Sequence, residues 1–133
     1  LLKEDVWLEK EQQIMPRPNW WDGAKIGIAG PPLKVDQGWL LLYHGVSDID
    51  HYYRVGFMLL HQNNPGKVLY RAPYPILRPT EEWERIGDVN NVVFPCGAVL
   101  INGTIFVYYG GADKVVCVAT ALLKDLLAQI KQS

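Results

Sequence analysis

Three side chains in this sequence stand where an anion or a polyol could be held. Lys25 opens the run Lys25-Ile26-Gly27-Ile28, His44 follows the apolar run Trp39 to Tyr43, and Asp113 comes just after Gly110-Gly111. A doubly charged anion requires cationic or N–H donors, and a carboxylate accepts two hydroxyl protons in fixed geometry. Each residue also has an ordinary structural reading: a solvated lysine at a strand start, a histidine satisfied by backbone groups in the turn after a strand, and a turn aspartate. Tyr43, Tyr108, Tyr109, Trp20 and Trp21 offer flat faces for a ring-shaped ligand, although strand aromatics more often fill a core.

Other polar groups are read as structural. Glu81, Glu82, Glu84 and Asp88 offer carboxylates for acid–base work, but so dense an acidic run is expected to be a solvated loop. Asp48, Asp50 and His51 are metal-ligand types without partner spacing, so they are read as a polar loop and no metal site is expected. Cys96 and Cys117 lack the spacing of a metal knuckle or redox pair and are expected to be reduced and buried. Asn102-Gly103-Thr104 fits a glycosylation acceptor, yet Asn-Gly is also the strongest short hairpin signal, and the turn reading is preferred.

The elements that would position these residues come from an internal repeat. Pro31 to Gly45 aligns without a gap on Cys96 to Gly110 at a shift of 65 residues, setting Gly38 on Gly103, Tyr43 on Tyr108 and Gly45 on Gly110. After a loop two residues shorter, Val55 to Leu60 aligns on Val118 to Leu123. Each copy, 31–60 and 96–123, has a strand, a turn at Gln37-Gly38 or Asn102-Gly103, an aromatic-aliphatic strand ending in Tyr-X-Gly, a polar loop and a third strand. A fourth strand, Lys67 to Arg71, follows the first copy. Units of about four strands are the blades of a β-propeller. Two visible repeats leave sheet edges open and imply neighbours. Met15 to Gly23 and Ala72 to Arg85, rich in proline, read as connecting loops. Leu122, Leu123, Leu126, Leu127 and Ile130 recur at helical spacing and predict a short helix over about 122–131, packed on the propeller rim.

The 133 residues, 49% hydrophobic and 20% charged, suit one globular unit and not a disordered tail. A formal net charge of −1 with scattered Lys and Arg excludes the basic stripe of nucleic-acid binding. The longest apolar run is far short of the ~20 residues that cross a bilayer, and no signal-peptide pattern opens the chain. The expectation is a cytoplasmic protein without nucleic-acid or membrane partners.

Ala24 to Val46 reads AKIGIAGPPLKVDQGWLLLYHGV and Asn90 to Asp113 reads NNVVFPCGAVLINGTIFVYYGGAD. In these blocks the sequence resembles the C-terminal part of glycoside hydrolase family 130, the mannoside phosphorylases and related mannosidases, over nearly its whole length. The resemblance implies an all-β fold, two to three blades of a five-bladed β-propeller with the site at its axis, and residues 1–133 forming one partial propeller domain. It implies inverting phosphorolysis of β-mannosides, with inorganic phosphate as co-substrate and no cofactor. No second carboxylate is then needed to activate water. Its single aspartate general acid is expected upstream of residue 1, so no catalytic residue is assigned here. By motif, Lys25 and His44 correspond to phosphate-binding residues, Asp113 to a carboxylate on the sugar hydroxyls, and Tyr109 to a substrate contact. The partner is then a mannose-containing oligosaccharide, completed by a missing N-terminal half or by self-association. Gly27-Ile28-Ala29-Gly30 and Leu60-His61-Gln62 depart from the family pattern, which bears on substrate preference. A catalytically silent half-propeller acting as a carbohydrate-binding or assembly module is the alternative. A propeller of another glycosidase clan would need an axial carboxylate triad that is not found.

Overall fold

The structure, a computed structural model, describes residues 13–131. Residues 1–12 and 132–133 of the span read as one partial propeller lie outside the described residues. Two antiparallel sheets follow one another along the chain. The first comprises β1 (Lys25–Ile28), β2 (Leu33–Val35), β3 (Gly38–Val46), β4 (Tyr53–Leu60) and β5 (Val68–Arg71); the order is β1-β3-β4-β5, with β2 continuing beside β3. After a connector carrying the short helix α1 (Glu82–Arg85), the second sheet runs β6 (Val93–Ile101), β7 (Thr104–Gly111) and β8 (Val115–Leu122). Helix α2 (Leu123–Lys131) closes the described chain. The chain is thus all-β apart from two short helices, arranged as two blade-like sheets.

The two copies of the repeat occupy equivalent places. β1 with β2 corresponds to β6, β3 to β7 and β4 to β8, and the first strand of each copy, at the sheet edge, is irregular at the same aligned position in both. In the first sheet it breaks between Ile28 and Leu33, at Gly30-Pro31-Pro32, because proline cannot donate to the ladder. In the second it bulges between Pro95 and Gly97. These irregularities meet: a Cβ on Gly30, whose φ is +103°, would lie 3.3 Å from the Cys96 carbonyl oxygen.

Period-2 alternation determines what each face buries. Leu40, Leu42, Phe57 and Leu59 point from the first sheet toward Ile105 and Val107 of the second, and Leu126 of α2 caps this core. On the opposite face, Leu41, Tyr43, Met58 and Leu60 pack with Trp21 and Trp39. The outward face of the second sheet leaves Val99, Ile101, Tyr108, Val116 and Val118 exposed.

Local expectations need correction at four places. The β2–β3 turn is centred on Asp36-Gln37, one residue earlier than read, whereas Asn102 (φ 49°) and Gly103 (φ 80°) form the expected hairpin turn. His44 lies inside β3, not in the turn after it. Ala72 to Arg85 is not all loop, since α1 forms at its end. Cys96 and Cys117 are both free, but Cys96 is exposed because it sits on the bulge, and Cys117 is half-buried.

Candidate functional site

All strand ends that carry the singled-out residues gather at one end of the two sheets. β1 begins there with Lys25, β3 and β4 turn there, β6 starts there and β7 ends there. Register aligns Lys25 with Val46 and Tyr53 in one row, and Gly27 with His44 and Val55 in the next, all on the face turned to the second sheet. The inter-sheet core therefore changes character toward this end, from Leu40 and Leu42 to His44.

Glycine at position 27 makes room for the imidazole. A Cβ there would fall 2.3 Å from Cε1 and 2.7 Å from Nε2 of His44, so the ring lies directly across the glycine. Phe94 of β6 covers the ring at a centroid distance of 4.6 Å, and Tyr53 stands 5.7 Å away. The ammonium of Lys25 sits 5.5 Å from the Tyr53 ring centroid, a cation–π contact that anchors its stem beside His44. Burial, and then the charge of Lys25, hold the His44 pKa below the ordinary histidine value. Its Nδ1 is buried without a hydrogen-bond partner among the described residues.

Asp113 reaches the same place from the other sheet. Ala112 (φ 47°) and Asp113 (φ 55°) form a left-handed turn between β7 and β8, closed by the Lys114 N–H on the Gly111 carbonyl at 3.0 Å. Asp113 then lines, with Tyr53, Val89, Val92 and Phe94, a cavity of about 220 Å³. The structure thus groups Lys25, His44 and Asp113 around the Tyr53–Phe94 pair, an ammonium and an imidazole on the first sheet and a carboxylate on the second. Such a site can hold an anion beside a polyol.

Tyr109, expected to touch substrate, is instead buried, and its hydroxyl donates to Glu84 Oε2 at 2.5 Å. Glu84 in turn is not part of a solvated acidic loop. It is buried in α1, where Oε1 accepts the N–H groups of Thr80 and Glu81 at 3.0 Å. Burial would raise its pKa, but these donors and the Tyr109 hydroxyl outweigh it and hold the carboxyl below its usual range. Burial and the adjacent carboxylate push the Tyr109 hydroxyl well above its ordinary value. This pair ties α1 to β7, and Ala112 is clasped further by backbone bonds to Val89 and Val92. Tyr109 and Glu84 thus brace the strand end that leads into the Asp113 turn.

A second buried charge was not singled out in the sequence. Asp22 is fully buried and accepts from Arg17 and Arg71, each at 2.8 Å, and from the Tyr43 hydroxyl at 2.9 Å. Burial opposes its ionisation, but the Arg17 and Tyr43 hydrogen bonds and both guanidinium charges prevail and depress its pKa. Tyr43 is pushed up to about 12, chiefly by burial. This network bolts the 15–23 loop to β3 and β5. Arg17 and Asp22 are close in sequence, but Arg71 is contributed from a distant strand and no local pattern announces it.

With this geometry in place, similarity to known proteins is informative. The sequence profile of the β-1,4-mannooligosaccharide phosphorylases of glycoside hydrolase family 130 matches residues 3–132. A 1,2-β-oligomannan phosphorylase of Thermoanaerobacter sp. (strain X514) is 45% identical over 120 residues, covering 90% of this chain and 40% of the relative. A β-1,2-mannobiose phosphorylase of the same organism is 51% identical over 106 residues, 80% of this chain and 35% of the relative. The structure of β-1,2-mannobiose phosphorylase from Listeria innocua in complex with β-1,2-mannobiose superposes with a TM-score of 0.85 at 35% identity, over 90% of this chain and 34% of that one. The chain thus spans between a third and two-fifths of the length of these proteins.

Proposed function

The chain belongs to glycoside hydrolase family 130, and we propose that the protein carrying it cleaves β-mannosides by phosphorolysis, with Lys25 and His44 on the phosphate and Asp113 on the sugar hydroxyls. The observation that carries this reading is the convergence of two cationic or N–H donors and one carboxylate, from two sheets, on the Tyr53–Phe94 end of the inter-sheet core.

In this reaction a phosphate oxygen attacks the anomeric carbon, the glycosidic C–O bond breaks, and the departing oxygen takes up a proton. Lys25, exposed at the start of β1, offers a positive charge to the incoming anion. His44, kept neutral, offers at most one N–H donor and adds no second charge. The proton for the leaving oxygen is not assigned to Asp22 or Glu84. Both are held ionised by surrounding donors and are occupied as acceptors. We assign that proton to an acid outside the described residues.

The exposed apolar face of the second sheet favours a different reading, in which this chain is a binding or assembly module that closes by pairing. Incubation of the natural gene product carrying this sequence with β-1,2- or β-1,4-mannobiose, with and without inorganic phosphate, separates the possibilities. Mannose 1-phosphate followed by ³¹P NMR, formed only when phosphate is present, is the expected result. Release of free mannose at the same rate without phosphate would make it a hydrolase. No cleavage under either condition would leave the binding module.

A further inference from the structure

A separate groove lies at the same end of the first sheet but on the side turned away from Phe94 and the second sheet. It is lined by Trp20, Ser47, Asp50, Arg54, Tyr74 and Arg78, among others, and encloses about 490 Å³, within the size range of small-molecule sites. Its position follows from strand geometry. Tyr53 and Arg54 are successive residues of β4, so they project to opposite faces; Tyr53 faces His44, whereas Arg54 faces the groove.

Two aromatic rings form its walls. Trp20 is 43% exposed and Tyr74 is 73% exposed, with ring centroids 6.4 Å apart and planes inclined by 30°. Exposing two large rings side by side costs apolar hydration that a buried position would relieve. Trp20 is also held in place: the Arg17 guanidinium stacks over it at 4.9 Å, and Arg17 itself is fixed by the buried Asp22. The loop that presents it is pinned by the Asn19 N–H on Asp48 Oδ2 at 3.1 Å. Between the rings and the β3–β4 turn, Asp50 and Arg54 form a two-pronged pair with contacts of 2.6 and 3.0 Å, and exposed Arg78 stands at the rim. Flat apolar faces beside fixed, planar donors and acceptors suit a pyranose ring, which presents C–H groups on one face and hydroxyls around its edge.

We propose that this groove is a sugar-binding subsite distinct from the Lys25–His44–Asp113 site, taking a ring of a mannose oligosaccharide against Trp20 and Tyr74 with its hydroxyls on Asp50 and Arg54. The inference rests on the mannoside reading for the identity of the sugar. Its test is calorimetric titration of the natural gene product with β-linked mannose oligomers of two to six units. The Trp20→Ala/Tyr74→Ala double variant is titrated in parallel. The expected result is that the hexamer binds the unaltered protein more tightly than the dimer and that the double variant weakens hexamer binding tenfold or more. An unchanged thermal midpoint shows that the fold is intact. Equal hexamer affinity for the two proteins, or no hexamer binding to the unaltered one, overturns the proposal. Mannose 1-phosphate release by the unaltered protein is scored separately, so failure of the phosphorolysis reading is visible even where the groove binds sugar.

Discussion

Gly27→Ala is the substitution whose effect the geometry specifies most closely. The added methyl would sit 2.3 Å from Cε1 of His44, against an optimal carbon–carbon separation of about 3.5 Å. The imidazole must therefore retreat by roughly 1 Å, or β1 must part from β3. Overpacking of this kind costs about 1–3 kcal/mol, and the stiffer unfolded chain returns only ~0.4–1 kcal/mol. A net loss of about 1–2 kcal/mol is expected in urea unfolding. Function should suffer more, because a ~1 Å misplacement of a positioning group lowers rate by about 10²-fold. Gly97→Ala serves as the comparison: it is also a strand glycine, but a Cβ there meets nothing within 4 Å. It should leave stability equal or slightly raised. Gly27→Ala with stability no lower than Gly97→Ala and unchanged phosphate affinity would refute the placement of His44 across Gly27.

Further outcomes follow from the buried charges. His44 should titrate with a midpoint below 6.5 in two-dimensional NMR of the imidazole, and Lys25→Met should move that midpoint upward. Since its folded pKa is the lower one, its contribution to stability is full above the unfolded value near 6.5. That contribution is lost as pH falls from there through the folded value. Asp22→Asn removes the charge that two guanidinium groups share and should cost about 3 kcal/mol or more in denaturant unfolding. The depressed Asp22 pKa implies stability that is present above about pH 4 and lost as the carboxylate protonates, so acid unfolding should shift to higher pH on Arg71→Met. Tyr109→Phe should destabilise by about 1–3 kcal/mol by withdrawing a donor from buried Glu84. If Tyr109 instead contacted substrate directly, KM would rise without any loss of stability.

The strand order and the pairing of copies were legible because alternation and the 65-residue shift are local and repeated. Even the matched irregularity of the first strands is foreshadowed, since Pro31 aligns on Cys96 next to Pro95. The placement of Lys25, His44 and Asp113 at one end required only strand directions once the repeat was seen. Glu84 was misread because an acidic run on the surface and an acid tied to a buried tyrosine look alike. What distinguishes them is Tyr109, 25 residues away. Tyr109 shared the family's Tyr-Tyr-Gly block with exposed Tyr108, and strand parity alone does not tell which of two adjacent tyrosines faces the core. The Arg17–Asp22–Arg71 cluster spans 49 residues between Asp22 and Arg71 and leaves no spacing signal. Cys96 was expected inside because free cysteine usually is, and the bulge turned it outward.

Phosphate binding at Lys25 and His44 is what the proposed phosphorolysis most directly requires. Calorimetric titration of inorganic phosphate into the natural gene product, beside its Lys25→Ala and His44→Ala variants, measures it without reference to turnover. Binding by the unaltered protein that weakens tenfold or more in both variants, with folding retained, is the predicted result. Equal phosphate affinity in all three proteins would contradict it.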